Sequence, residues 1–120
     1  MGTLILSACL WDANEKSSKF SRCFTDVWAS RFFAAFRRNL TVKTHSVLFT
    51  DRRRDLPKFI EQIVDPSLGS SGYGDCVRPF CLNEPMIFAG LDTVIVGNCD
   101  KFARQGFEAD KIVDFRGLNA

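Results

Sequence analysis

The spacing of apolar positions changes several times along the chain, and each change predicts an element. Leu4 to Leu10 (Leu-Ile-Leu-Ser-Ala-Cys-Leu) is a run without charge. A strand covered on both faces reads this way, as in a parallel sheet packed between layers. Asp12 to Phe20 then turns polar, which predicts a surface loop at the carboxyl end of that strand. Phe24, Val27, Trp28, Phe32, Ala35 and Phe36 recur at steps of three and four, predicting an amphipathic helix. Asp26 falls in its first turn and Arg37-Arg38 in its last, so the charges complement the helix dipole at both ends.

After Asn39 to Lys43, His45 to Thr50 predicts a second buried strand, followed by Asp51 and the basic cluster Arg52 to Arg54. Pro57 suits the first position of a helix and predicts a short one over Lys58 to Ile63. Asp65 to Gly74 contains Pro66, Gly69, Ser70, Ser71, Gly72 and Gly74, a density of turn formers that predicts a mobile loop. Asp75 to Leu82 predicts a short helix stopped by Asn83 and Pro85. Met86 to Val96 is the most hydrophobic segment and reads as a central strand carrying one charge, Asp92. Lys111 to Phe115 adds one more expected strand. This alternation predicts an α/β fold over residues 1–120, a single domain whose mainly parallel sheet has helices on both faces.

Composition narrows the function classes. With 46% apolar residues, including 12 Phe, the chain has the material for a real core, which argues against disorder. Sixteen basic against 14 acidic residues leave a net charge of +2, too small to predict nucleic-acid or membrane binding from bulk electrostatics. Cys9, Cys23, Cys76, Cys81 and Cys99 form an odd set without a C-x-x-C pair. Several lie in apolar runs, so reduced thiols and a cytoplasmic location are expected. The apolar stretch at the N-terminus is too short for a signal peptide or a membrane span.

Asp92 is the residue that asks for chemistry. A carboxylate inside a central strand costs several kcal/mol unless it is paired, hydrogen-bonded or on a metal. The alternative is that a bulge or strand end places it in water. Asp51 has two readings as well, a ligand acceptor or a turn-forming residue after a strand. Arg52-Arg53-Arg54 can be a phosphate patch or, with Asp55 beside it, a solvated loop, and the low net charge favours the loop. His45 is the only histidine, which leaves a histidine-based metal site or a Ser-His-Asp triad little to stand on. Asn39-Leu40-Thr41 fits a glycosylation sequon, read as accidental without a secretory signal. No G-x-G-x-x-G and no P-loop follows the first strand, which disfavours a general Rossmann-like nucleotide-binding protein.

Phe88-Ala89-Gly90-Leu91-Asp92-Thr93-Val94-Ile95-Val96-Gly97-Asn98-Cys99-Asp100 resembles the stretch of many GT-A-type glycosyltransferases that bears the D-x-D motif, apolar-apolar-Asp-Leu-Asp-Thr, three apolar residues, Gly-Asn-apolar-Asp. The likeness extends upstream to a strand ending in Leu10-Trp11, a helix ending in Arg38-Asn39-Leu40-Thr41 and a strand ending in Phe49-Thr50-Asp51. It thus covers nearly the whole chain in order and spacing. The resemblance implies a Rossmann-like, truncated GT-A fold that binds a nucleotide-diphospho-sugar, a UDP- or GDP-sugar. A metal, Mn2+ or Mg2+, would bridge the two phosphates and relieve their charge as the leaving group departs.

By the same resemblance Asp92 is the second Asp of the motif and the metal ligand, while the first is replaced by Gly90. Ala8, Leu10, Thr50 and Asp51 are implied near the base and ribose. Tyr73 lies in a Gly-aromatic stretch near the donor, where the Lys that often follows in relatives is absent and Arg78 is the nearest cation. The chain ends soon after Asp92, where relatives supply the acceptor site. It is therefore expected to be a fragment, to draw the missing half from a second chain or a homo-oligomer, or to be a truncated non-catalytic nucleotide-binding or protein-interaction module. A truncated sheet edge would favour self-association.

Overall fold

The computed structural model describes residues 2–16 and 24–108, with the Tyr73 side chain excepted. The expected strand Lys111 to Phe115 and the end of the expected polar loop lie outside the described residues. Four strands, β1 (Leu4–Leu10), β2 (Thr44–Thr50), β3 (Ile60–Val64) and β4 (Met86–Phe88), form one sheet in the order β3-β2-β1-β4. Every pairing is parallel. Two α-helices, α1 (Asp26–Arg38) and α2 (Asp100–Glu108), and a 3-10 helix (Tyr73–Leu82) complete it. The molecule is a small α/β domain.

The charge-free run of β1 is explained by its two-sided burial. Leu4, Leu6, Ala8 and Leu10 pack with α1, α2, Leu48, Ile60 and Ile87 in the larger core. Ile5 and Cys9, on alternate positions, join a smaller core of Trp11, Val47, Phe49 and Leu68 on the other face, under the 3-10 helix residues Cys76 and Leu82. On α1 the buried stripe is Ala29, Phe32, Phe33 and Phe36. Fully burying one such phenylalanine stabilises the fold by about 1.5–3 kcal/mol. The stripe differs from the expected one: Val27 and Trp28 are exposed, at 55% and 38%, and Phe33 turns inward in place of Ala35. The helix wheel admits both stripes, and the one additional inward ring, Phe33, chooses between them, with Phe32 set edge-on to both Phe33 and Phe36.

Two expected elements are corrected. Lys58 to Ile63 is not a helix; Ile60 to Val64 is the edge strand β3, in register with Ser46 to Thr50. A helix of six residues closes too few hydrogen bonds to offset its nucleation, whereas the β-branched residues Ile60, Ile63 and Val64 find a ready edge on β2. The apolar segment from Met86 leaves the sheet after Phe88, and Val94 and Val96 are 78% and 95% exposed. A turn closed by the Thr93 N–H donating to the Gly90 carbonyl at 3.0 Å ends the strand. The same segment then docks onto α1: the Cys99 N–H donates to the Asn39 carbonyl at 2.7 Å. The Thr41 N–H and hydroxyl donate to Asp100 at 2.9 and 2.7 Å. Asn39 and Thr41 of the apparent sequon are thus joint residues, Asn39 also donating its side-chain amide to the Ala35 carbonyl at 2.8 Å.

The loop from Asp65 to Gly74 is a chain of turns tied at several points. The Asp75 carboxylate accepts from the Gly69 N–H at 2.7 Å and from the Ser71 N–H at 3.3 Å. The Asn14 amide donates to the Gly69 carbonyl at 3.0 Å. Gly69 has φ +88°, and a Cβ there would lie 2.4 Å from Cδ1 of the buried Trp11 ring. We predict that Gly69→Ala destabilises the protein by about 1–3 kcal/mol through strain at positive φ and displacement of Trp11. Gly74→Ala, with nothing within 4 Å of the added methyl, is the control and leaves stability unchanged. Urea unfolding of the two variants checks this; equal stabilities would contradict it.

Candidate functional site

Parallel strands present their carboxyl ends at one edge of the sheet, and ligands of open α/β sheets bind there, above all where successive strands depart in opposite directions. In this sheet that place is β1, flanked by β2 on one side and β4 on the other. The register sets Leu10 beside Thr50 and Ser7 beside Phe88. Trp11-Asp12, Asp51-Arg52 and Ala89-Gly90 therefore leave the sheet on the same edge.

Arg54 organises the β1 and β2 side of that edge. Its side chain is 1% exposed, against the expectation of a solvated Arg52–Arg54 loop; only Arg52 and Arg53 are exposed. The guanidinium donates to Thr50 Oγ1 at 2.8 Å, Asp26 Oδ1 at 2.9 Å, Asp51 Oδ1 at 2.9 Å and Asp12 Oδ1 at 3.2 Å. Its own backbone is clamped by Gln62, which accepts from the Arg54 N–H at 2.8 Å and donates to its carbonyl at 2.9 Å. The planar, many-donor head of arginine permits this convergence where lysine has only a point charge. Asp26 brings in the first turn of α1, where a carboxylate also suits the helix dipole.

Arg52 adds a two-point contact to Asp12, at 2.7 and 3.1 Å. That hydrogen bond first, and the nearby Arg54 charge second, hold the Asp12 carboxyl below its usual range; the same contact raises Arg52. Asp51 accepts the Asp12 N–H at 2.9 Å on its second oxygen. Two guanidiniums face three carboxylates in this network, one formal negative charge in excess, and the neighbouring Arg53 and Asp55 cancel. The edge therefore carries a small excess of negative charge, which suits hydrogen-bond donors better than a bare anion.

Asp92 lies in the turn after β4 and is exposed. Of the two readings of Asp92 this is the second, a strand end that places it in water: the sheet ends before it, and solvation removes the cost that a carboxylate inside a central strand would carry. No hydrogen bond or ion pair engages its side chain among the described residues. Its Oδ1 stands 3.1 Å from where a Cβ on Gly90 would be, so the glycine leaves room for the carboxylate to fold over the turn.

Of the residues expected at a site, Ala8 and Leu10 are buried at 0% and 2% with their side chains in the core, and only the chain beyond them reaches the edge. Thr50 is buried, its hydroxyl receiving Arg54 and donating to the Arg52 carbonyl at 3.1 Å. Asp51 is half-buried and occupied on both oxygens. Tyr73 opens the 3-10 helix, which packs on the opposite face of the sheet. Arg78 is held by Asp65 and lies 3.9 Å from Asp75, so it is committed to the protein. His45 is a surface residue 3.5 Å from Glu61.

Sequence reasoning missed Arg54, Asp12 and Asp26 as a unit. The available signal was an acidic residue just after each of the first two strands and in the first helical turn, with one arginine close enough to serve all three. Asp12, Asp26 and Asp51 point at a guanidinium, and among the described residues no group of three or more His, Cys, Asp or Glu side chains could hold a metal. No helix of the described residues is long and apolar enough to cross a membrane. No family model, curated protein or solved structure matches the chain.

Removing Arg54 leaves three carboxylates facing one another. Arg54→Met is predicted to cost about 2–3 kcal/mol, less than the about 3–5 kcal/mol of a fully buried pair because Asp12 and Asp26 are partly solvated. The penalty should shrink at low pH. Asp12 has a depressed pKa, so its contribution is present above the unfolded-state value of about 3.9 and fades as pH falls through the folded value. Denaturation of wild type and variant at pH 7 and pH 3 measures both; a penalty independent of pH would contradict this network.

Proposed function

We propose that the chain is a nucleotide-diphospho-sugar-binding domain of the GT-A glycosyltransferase kind, Rossmann-like in its strand order. The observation that carries this reading is the Gly90-Leu91-Asp92-Thr93 turn. It sets an unpaired, solvent-facing carboxylate beyond β4, beside β1, at the edge where the strand order reverses. The order β3-β2-β1-β4 with every pairing parallel supports it, as does the run of residues from Phe88 to Asp100 that resembles the D-x-D stretch.

The electrostatics divide the work. The acidic network around Arg54 accepts from base or ribose donors, with Asp51 the inner acceptor and Asp12, 57% exposed, the outer one. A diphosphate is repelled from this edge unless a cation accompanies it. Asp92 supplies one carboxylate, and divalent cations of the Mg2+ and Mn2+ kind are commonly held by one or two carboxylates completed by substrate phosphates and water. These residues fit a metal that arrives with the diphosphate and do not form a metal cage by themselves. When bound, the cation would neutralise charge on the leaving diphosphate.

Gly90 in place of a second carboxylate favours one alternative, a nucleotide-binding or interaction module that performs no transfer. Calorimetric titration of UDP and GDP, with and without Mn2+, tests both readings. Wild type should bind one of them only with metal, and Asp92→Asn should weaken that binding about tenfold or more, at least about 1.4 kcal/mol. Gly90→Asp should tighten metal-dependent binding, since the Asp92 oxygen it crowds is the end of a mobile side chain. Binding unaffected by both metal and Asp92→Asn would sink the donor-site reading; no binding at all would leave the interaction module.

A further inference from the structure

The two edges of the sheet are unlike each other. β4, at one edge, is three residues long, and so short a strand offers little backbone to a further one. β3, at the other edge, runs from Ile60 to Val64 in unbroken register with Ser46 to Thr50. It contains no proline, glycine or lysine. Its one charge, Glu61, is turned to β2, where it lies 3.5 Å from His45. Proline, a bulge and lysine, which blunt an edge strand against addition, are thus all absent from β3. Among the described residues no strand pairs with its outer side.

One bond fixes which backbone groups of β3 face outward. The Asp65 N–H donates to the Thr50 carbonyl at 2.8 Å. Successive residues of a strand point their backbone groups to alternate sides, so Asp65, Ile63 and Glu61 face β2. The N–H and C=O groups of Gln62 and Val64 and the carbonyl of Ile60 then point away from the sheet. The Ile60 N–H is already engaged, donating to the Pro57 carbonyl at 3.1 Å.

We propose that this edge pairs with the same edge of a second copy, antiparallel and centred on Gln62, so that one sheet runs through both molecules. A two-fold axis relates identical strands paired in this way. The two Gln62 residues exchange both of their backbone bonds, and each Val64 N–H donates to the carbonyl of the partner's Ile60. The outward groups are therefore complementary to themselves, and this selects a second copy over an unrelated strand. The side chains agree. Ile60, Gln62 and Val64 share the α1 face, and Val64, 43% exposed, gains the partner's Ile60 as a cross-strand apolar neighbour. The Gln62 amide is already held by the Arg54 backbone at 2.8 and 2.9 Å, so the junction leaves it satisfied. An edge of five residues supplies less than the roughly 1,600 Å² of a standard interface, and the dimer is accordingly weak and separates on dilution. Because the strands of the two copies run in opposite directions, their candidate sites lie at opposite ends of the shared sheet. The pairing and the donor-site reading stand or fall separately.

Residue-resolved hydrogen exchange of the full chain over a dilution series, with sedimentation velocity on the same samples, tests the pairing. The Gln62 and Val64 amides should exchange slowly in concentrated protein and fast in dilute protein, in step with conversion of dimer to monomer. The Ile63 amide, which faces β2, should stay protected throughout. Val64→Pro removes an outward donor and no bond to β2, a placement that an edge strand tolerates, and should be monomeric at every concentration with Ile63 still protected. A wild type that is monomeric at every concentration would overturn the proposal, and so would a dimer whose Gln62 and Val64 amides exchange fast. Protection of those amides that ignores dilution also overturns it, because the cover then comes from within one chain. The wild-type exchange decides the matter even if Val64→Pro fails to fold.

Discussion

The buried guanidinium of Arg54 is the contact on which the carboxyl edge of the sheet depends. It bonds the ends of β1 and β2 through Asp12, Thr50 and Asp51, and the start of α1 through Asp26. Burying an arginine is costly unless every donor finds a partner, and here the partners come from three separate segments. The same act that positions these segments uses up their carboxylates. What the edge retains for a ligand is residual acceptor capacity on Asp12 and Asp51, and one carboxylate outside the network, Asp92.

That distribution gives the proposed donor site its logic. An acidic surface suits hydroxyl and N–H donors of a nucleoside and cannot attract a diphosphate unaided, so metal and diphosphate would arrive together at the turn after β4. Gly90 leaves the turn with a single carboxylate, which in the proposed site would set a modest metal affinity. The far side of the segment is structural: Asp100 accepts from Thr41, and the Asn39 carbonyl accepts from the Cys99 N–H. One run of sequence thus carries both the turn at Gly90–Thr93, where the donor site is proposed, and a clasp onto the end of α1.

Strands β1 and β2 and the span of α1 were legible in the sequence because a sheet buried on both faces demands unbroken apolar runs and a covering helix demands a 3.6-residue period. Edge elements were not. β3 has exposed Glu61 and Val64 beside buried Ile60, a mixed pattern whose pairing depends on the open side of β2. Hydrophobicity from Met86 to Val96 overstated β4, because the turn at Gly90 ends the pairing and its valines remain in water. At the candidate site, Asp92 and Asp51 could be singled out as acids at strand ends. Which arginine of the Arg-Arg-Arg run is buried was not legible, since two of the three carboxylates that hold Arg54, Asp12 and Asp26, are far away in sequence. The loop at Gly69 shows the same limit: its turn residues are visible, but the Trp11 ring that fixes them is a tertiary neighbour.

The central claim is the location of a metal–diphosphate site at the turn after β4. Paramagnetic broadening in 15N–1H spectra of the full chain, on adding Mn2+ with UDP or GDP and compared with Mn2+ alone, tests it directly. The account predicts nucleotide-dependent loss of the amide signals of Ala89 to Thr93 first and of Trp11 and Asp12 next, with α1 residues such as Phe36 and Arg37 unaffected. Broadening centred on any other part of the sheet, or no change on adding nucleotide, would contradict it.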